Sequence, residues 1–352
     1  MKEENNNKKG ISRKEFLRLS GSILAGGAIA GISGKLIHDM IRRPEKVFFG
    51  ADGEEYDITD GDDSISPYRK ISSFRTPEEI EAFDMMGERM VAVGDNSLSV
   101  YSPEGNVEEC FAVGSDVRDI CVVGQEIYVL FPARIEVYSP SGDLLREWDA
   151  CSDNSDYCSF TVTPQSVFVT DAFAKNICQY DLEGGLKRFI DSPNGFVVPS
   201  YSFAITNHDG TVYCSNPGRH LVESYTEDGK YLASFGQAGT AVGAFSGCCN
   251  PVQLSFSPAG ELLTSEKGIP RISCYSPDGT FRSVLLNKKA LGGGYDAFEA
   301  RMTSDGRIVA AGKHSVAVYK YDSALAKASK GGSAACEVCG ISDCPIRRGI
   351  TV

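Results

Sequence analysis

A short phrase, a tyrosine followed four residues later by a glycine, recurs along the chain and constrains its fold more than any other feature. Five tyrosines open the phrase and a sixth opens a degraded copy: Tyr101, Tyr138, Tyr180, Tyr225, Tyr275 and, degraded, Tyr319. The intervals between them are 37, 42, 45, 50 and 44 residues. Repeats of this length with strand patterning predict a β-propeller, one blade per repeat.

Alternating apolar and polar residues precede each tyrosine, as in Leu98–Val100 and Ile135–Val137. This period of two predicts a strand with one buried face, and the glycine-containing phrase after it predicts a hairpin turn. Two further strands lie upstream in each repeat, and one follows the turn. The chain is therefore expected to be all-β, with six four-stranded blades over residues 46–325. Residues 68–74 are expected to supply the outer strand of the last blade, which would protect the edges of the ring.

The N-terminal segment has the pattern of an export signal. Residues 19–37 are mildly apolar and rich in Gly and Ala, and Ser12–Leu17 stands before them. That frame resembles the twin-arginine signal, with Lys14 in place of the second arginine. Residues 1–45 are therefore predicted to be an export signal or a membrane-anchor helix, which places the protein in the periplasm or at the cell surface. An ordinary secretory signal and an amphipathic helix are the alternatives.

The charge of the chain argues against one class of partner. Its net charge is −12, and because residues 1–30 carry six Lys or Arg and three Glu, the remainder carries about −15. An acidic body repels phosphate backbones, so no nucleic-acid partner is expected.

The fourth and fifth repeats resemble the NHL-type propeller repeat. The matching stretches are Phe235–Phe245, Asn250–Val252, Ser257–Thr264 and Arg271–Ile272. This resemblance implies a fold rather than an activity, because NHL-type propellers include protein-binding modules, hydrolases and lyases. Gly247–Pro251 combined with Ser265–Ile272 further resembles a group of exported bacterial NHL-type proteins.

Strand direction predicts which residues share a face. If strands a to d run from the axis to the rim and alternate in direction, the d–a connections and b–c loops open on one face, here named the top face. Eight residues are thereby candidates for a ligand site there: Cys248, Cys249, Asn250, Glu266, Lys267, Arg271, His220 and His314. Asp171, Lys175, Cys158, Tyr295 and Asp296 are expected on the same face.

Each candidate also has a structural interpretation. Asn250-Pro251 is typical of a turn before a strand, and Arg271, which recurs as Arg134, is typical of a stacking or hydrogen-bonding arginine. The two histidines suit solvated loops, and Glu266-Lys267 suits an exposed charge pair. Adjacent cysteines can form a strained disulfide, remain inert, pair with other cysteines or bind a soft metal.

Residues 326–352 are expected to be a flexible linker followed by a cysteine-rich tail. Cys336, Cys339 and Cys344 have the spacing Cys-x2-Cys and then Cys-Pro, which resembles part of an iron–sulfur or zinc ligand set. A fourth ligand would have to come from the propeller or from a partner. A disulfide loop or oxidisable thiols remain the alternative.

Three classes of function suit a chain with these features. A metal-dependent hydrolase or lyase, lactonase-like, needs Glu, Asp, Asn or His near the axis, but the chain has only four histidines and no acidic residue that repeats at an inner position. A thiol–disulfide protein lacks the usual βαβ context. The sequence therefore favours an exported scaffold over an enzyme. It would bind a protein at the membrane through its loop face, or a small ligand at its channel, as an accessory to a membrane-associated redox system.

Overall fold

The computed structural model describes residues 47–49, 55–57, 66–94, 96–200 and 202–328. Six four-stranded antiparallel sheets make up almost all of this part of the chain, so the predicted six-bladed propeller is confirmed. The predicted signal, residues 1–45, and the cysteines at 336, 339 and 344 lie outside the described residues. Among the described residues, no helix is both long and apolar enough to span a membrane.

The elements follow the chain in a regular order. Before the blades come β1 (Val47–Phe49) and β2 (Glu55–Asp57), which pair with each other, and β3 (Tyr68–Arg75). Blade one consists of β4 (Ala82–Met86), β5 (Arg89–Gly94), β6 (Ser97–Tyr101) and β7 (Val107–Ala112). Blade two consists of β8 (Asp119–Val123), β9 (Glu126–Phe131), β10 (Arg134–Tyr138) and β11 (Leu144–Asp149). Blade three consists of β12 (Tyr157–Val162), β13 (Val167–Asp171), β14 (Asn176–Tyr180) and β15 (Leu186–Ile190). Blade four consists of β16 (Ile205–His208), β17 (Thr211–Asn216), the 3-10 turn Pro217–Arg219, β18 (Leu221–Thr226) and β19 (Tyr231–Phe235). Blade five consists of β20 (Gln253–Phe256), β21 (Leu262–Glu266), β22 (Arg271–Tyr275) and β23 (Phe281–Leu286). Blade six contains β24 (Glu299–Met302), β25 (Ile308–Gly312) and β26 (Ser315–Tyr321), and the short helix α1 (Ser323–Ala328) follows it.

Strand β3 closes the ring. It pairs antiparallel with β26, from Tyr68 opposite Tyr321 to Arg75 opposite Ser315, and becomes the outer strand of blade six. The predicted role of residues 68–74 is therefore confirmed. Tyr68 and Tyr321 also meet edge to face with ring centroids 5.8 Å apart. Closure joins the two ends of the ring and leaves blade six with the same four strands as the others.

The recurring tyrosine and glycine form the joint between neighbouring blades. The ring of Tyr138 lies 5.6 Å from Phe111, an outer-strand residue of the preceding blade. Gly142 has a φ of +90°, and a Cβ placed on it would lie 2.7 Å from Cγ of Phe111. The same glycine contact occurs at four other joints, where the outer-strand residues are Phe74, Trp148, Ile190 and Phe235. The repeat therefore encodes how one blade packs on the next, as well as the turn within a blade.

The apolar core lies between the blades. Val91 and Val100 of blade one pack in one cluster with Ile127 and Val129 of blade two, and corresponding clusters follow around the ring. Because each blade buries both of its broad faces in this way, the connections at either end are left to carry the polar sites.

Candidate functional site

The top face carries a pocket in blade five, of about 210 Å³, here named the blade-five pocket. Its walls are the end of the connection that leads into β20, the loop between β21 and β22, and part of the next connection. Ten residues line it: Thr240, Ser246, Gly247, Cys248, Cys249, Asn250, Lys267, Gly268, Ile269 and Tyr295. The structure thus brings the Cys-Cys-Asn segment and Lys267 into one site.

Asn250 joins the two main walls of the pocket. Its side-chain amide donates hydrogen bonds to the carbonyl oxygens of Ser246, at 2.6 Å, and Lys267, at 2.9 Å. Its side-chain oxygen accepts a hydrogen bond from the Lys267 N–H at 2.9 Å. Asn250 is buried, and these bonds give its side-chain amide the hydrogen-bond partners that a buried polar group needs. The bond from Asn250 to Pro251 is cis. Asn250 is therefore a positioning residue that fixes one loop against the other.

Two thiols stand at this pocket. The Sγ atoms of Cys248 and Cys249 are 3.2 Å apart, and both cysteines are free. A disulfide would require about 2.05 Å. The hydrogen bond with Cys249, aided by partial burial, raises the pKa of Cys248. Two adjacent free cysteines can be oxidised to a disulfide or can bind a soft ligand.

Glu266 does not belong to an exposed charge pair, so that expectation was wrong. Its side chain is fully buried and pairs with Arg271 rather than Lys267, with Nε to Oε1 at 2.6 Å and Nη2 to Oε2 at 2.9 Å. Arg271 also donates to the carbonyl oxygens of Thr240 and Ala241, each at 3.2 Å, and of Ala244. Burial raises the pKa of Glu266, while the charge and hydrogen bonds of Arg271 oppose that rise. The Glu266–Arg271 pair therefore stabilises the connection that leads into β20. This agrees with the hydrogen-bonding role expected for Arg271.

The two histidines serve different loops. His220 has a left-handed backbone, with φ of 57°, and its Nε2 hydrogen-bonds to the carbonyl oxygen of Gly247 beside the thiols. His314 is exposed at the top of blade six, where its carbonyl oxygen accepts a hydrogen bond from the Thr76 N–H at 3.3 Å. His220 therefore supports the pocket, whereas His314 lies at the junction with blade one.

The other residues expected on the top face differ in location and burial. Tyr295 lines the pocket, and Lys175 is exposed on the loop between β13 and β14. Cys158 is buried as the second residue of β12, so its expected place on a connection was wrong. Asp171 ends β13 and is buried beside Cys151 and Cys178.

A second cavity, of about 290 Å³, is lined by residues from the innermost strands of all six blades. Within this axial cavity Arg301 bonds to Asp84 at 3.0 Å, and to neighbouring Glu299 at 2.7 Å. Asp119 accepts a hydrogen bond from the Ser159 hydroxyl at 2.6 Å. Burial and the charge of Glu299 raise the pKa of Asp119 to about 7. Asp119 and Glu299 each begin an innermost strand, in blades two and six, so an acid does repeat at an inner position and the expectation of none was wrong. Asp84 is the third residue of β4. A charge inside an innermost strand was the available signal.

Comparisons with known proteins support the fold alone. No family model matches the chain, and no curated protein is similar to it. Virginiamycin B lyase from Staphylococcus aureus, as a selenomethionine-substituted crystal structure, is similar at 14% identity and a TM-score of 0.51, over 72% of this chain and 99% of that chain. A catalytically inactive variant of that lyase with quinupristin gives 12% identity and a TM-score of 0.50 over the same shares. At such identities the likeness shows a shared propeller architecture.

Proposed function

We propose that this protein is an exported scaffold that docks a partner protein at the membrane through its top face. The blade-five pocket receives one apolar or aromatic side chain of that partner. The observation that carries the proposal is the size and chemistry of the pocket. At about 210 Å³ it lies below the roughly 300–1,000 Å³ of sites for drug-sized ligands, yet it suits a single anchoring side chain.

Exposed apolar side chains also lie on the top-face loops and connections of blades three to five. Phe173 is 63% exposed and Tyr295 is 59% exposed, and Val197 and Val242 are also open to solvent. Large apolar side chains grouped on one face of a rigid disc are typical of an interaction surface. The charge of about −15 outside residues 1–30 favours a partner with basic residues around its anchor.

The thiols of the pocket support placing that partner in a membrane-associated redox system. Oxidation of Cys248 and Cys249 would draw their Sγ atoms from 3.2 Å to about 2.05 Å and reshape the pocket wall. Docking would then depend on the oxidation state. Cys336, Cys339 and Cys344 are proposed ligands for an iron–sulfur cluster or zinc in the same system.

Site-specific crosslinking in the producing cells tests the proposal. A photoreactive residue replaces Tyr295 on the top face, and the matched control replaces Asp278, exposed in the turn between β22 and β23 on the opposite face. The expected result is one discrete crosslinked protein from position 295 and none from 278. Cys249→Trp, which fills the pocket, should remove that product. Equal products from both faces, or a product that survives Cys249→Trp, would contradict the proposal.

The axial cavity supports a second candidate, a metal-dependent hydrolase or lyase. Asp84, Asp119 and Glu299 supply carboxylates of the kind that hold Ca²⁺, although Arg301 already pairs with two of them. Thermal unfolding with and without added Ca²⁺ separates the two functions. A rise in Tm that Asp119→Asn abolishes would support the enzyme. An unchanged Tm, together with the top-face crosslink, would support the scaffold.

A further inference from the structure

We propose that Cys151, Asp171 and Cys178 form a zinc site in blade three, separate from the blade-five pocket. Cys151 lies on the connection after β11, Asp171 ends β13, and Cys178 lies in β14. One donor atom from each of the three side chains lies within 4.8 Å of the other two. Because Asp171 pairs with Asn176 in the β13–β14 hairpin, strand register holds two of the ligands in place.

The separation of the two sulfurs suits a shared metal ion. The Sγ atoms of Cys151 and Cys178 are 3.6 Å apart. Two sulfurs at 2.3 Å from a tetrahedral zinc ion would be about 3.8 Å apart. A disulfide would instead require them to approach to about 2.05 Å. The pair is therefore already close to the geometry of zinc ligands without any movement of the strands.

Asp171 supplies the independent observation. It is 1% exposed, and its Oδ1 accepts hydrogen bonds from the N–H groups of Asp156, Phe173 and Ala174 at 3.2, 2.9 and 3.1 Å. Its Oδ2 is buried and has no hydrogen-bond partner among the described residues. An unpaired buried carboxylate oxygen is costly, and a bound cation would compensate it.

The donor set selects the class of metal. Two thiolates and one carboxylate suit zinc, whereas Mg²⁺ and Ca²⁺ prefer oxygen ligands alone. Cys151 is partly exposed, so an ion can reach the site from solvent. Three protein ligands leave a fourth position on a tetrahedral zinc ion for water.

Cobalt(II), a spectroscopic substitute for zinc, tests the site in the whole chain. The background variant carries serine at Cys248, Cys249, Cys336, Cys339 and Cys344, which removes the other thiols proposed to bind metal. We expect one cobalt per chain, with a near-ultraviolet thiolate charge-transfer band. Cys178→Ala should lose at least half of that band. Asp171→Asn keeps an acceptor for the three N–H groups but loses a ligand, so the affinity should fall at least tenfold.

The matched control is Cys214→Ala, which removes a buried thiol in blade four. It should leave both the stoichiometry and the band unchanged. If Cys178→Ala does not fold, Cys151→Ser at the partly exposed position replaces it, with the same expected loss. A band that survives these changes, an affinity unaffected by Asp171→Asn, or a Cys151–Cys178 disulfide in peptides of anaerobically purified protein would overturn the proposal.

Discussion

Arg134 and Arg271 each begin the third strand of a blade and each bond through Nε to a glutamate at 2.6 Å. Their surroundings differ. The Arg134 side chain is 36% exposed and lies over the Phe131 ring, whereas Arg271 is 2% exposed and holds three carbonyl groups of the preceding connection. Burial decides how much such an ion pair contributes to stability. Solvent screens the charges of Arg134 and its glutamate, whereas the buried Arg271 and Glu266 each depend on the other to compensate their charge.

Removing these arginines should therefore have unequal effects. Arg271→Ala leaves the Glu266 charge buried without its partner, and we expect the free energy of unfolding to fall by about 3 kcal/mol or more. Arg134→Ala, the matched control, should cost about 1 kcal/mol or less. Urea denaturation followed by the fluorescence of Trp148, the single tryptophan, measures both. Equal losses would contradict the assignment of Arg271 as the brace of the pocket.

Asp119 shows a different consequence of burial at the residue scale. Its folded-state pKa of about 7 lies above the unfolded value of 3.8. Between these values the folded state keeps a proton that the unfolded state loses. Asp119 therefore lowers the free energy of unfolding progressively as pH rises from about 4 to about 7, and has no such effect below about pH 4. Glu299, Arg301 and Asp84 share this cavity and set the field in which the group ionises.

Asp119→Asn should remove that pH dependence. An asparagine keeps the acceptor for the Ser159 hydroxyl but cannot ionise. We expect the variant to gain stability relative to wild type as pH rises from about 4 to 7, by at most about 1.4 kcal/mol per pH unit. Urea midpoints across this range provide the measurement. A difference that stays constant with pH would show that Asp119 ionises normally.

At the scale of elements, the joint between blades explains why a turn glycine recurs with a tyrosine. The turn needs a positive φ, and the absent Cβ makes room for the outer-strand side chain of the neighbouring blade. The sequence predicts the turn from the phrase itself. It cannot show the neighbour, because Phe74, Phe111 and Trp148 belong to other repeats at varied distances.

Two glycines separate the two effects. Gly124 has φ of +63° with nothing near its absent Cβ, whereas Gly142 adds the close approach of Phe111. We expect Gly124→Ala to cost about 1–2 kcal/mol from backbone strain alone. Gly142→Ala should cost a further 1–3 kcal/mol or so, because Phe111 must move. Thermal and urea unfolding of both variants measure the difference. Equal costs would mean that the joint yields easily.

The elements also show where prediction from the sequence ended. Alternation predicts the tyrosine-bearing strands, and the position of residues 68–74 ahead of the first blade predicts the outer strand of blade six. The site was predicted through loop topology, which correctly joined Cys249, Asn250 and Lys267. It could not predict that Glu266 turns inward to Arg271, because the partner of a charge depends on packing depth rather than on order along the chain.

For the whole molecule, stability depends on closing the ring. Strand β3 is mostly exposed and holds β26 chiefly by backbone pairing and by Tyr68. Without it, β26 would present an open edge of unpaired N–H and C=O groups. The sequence predicts this closure because the sixth, degraded repeat has no outer strand of its own after Tyr319, so a strand from before the first blade is needed to complete blade six.

Two truncations test this dependence. A chain that begins at Ser66 keeps β3, and we expect it to unfold cooperatively. A chain that begins at Pro77 lacks β3 and should lose cooperative unfolding and aggregate through the edge of β26. Calorimetry and size-exclusion chromatography compare the two. Cooperative folding of the shorter chain would contradict the role of β3, and failure of the longer one would place earlier residues within the propeller.

The same closure has a consequence for biosynthesis. Arg75 and its partner Ser315 are 240 positions apart (315 minus 75). At about 5–20 residues per second, a ribosome takes roughly 12 to 48 s to make that interval. Strand β3 is therefore without its partner throughout this time, and the ring can close only after β26 has been synthesised.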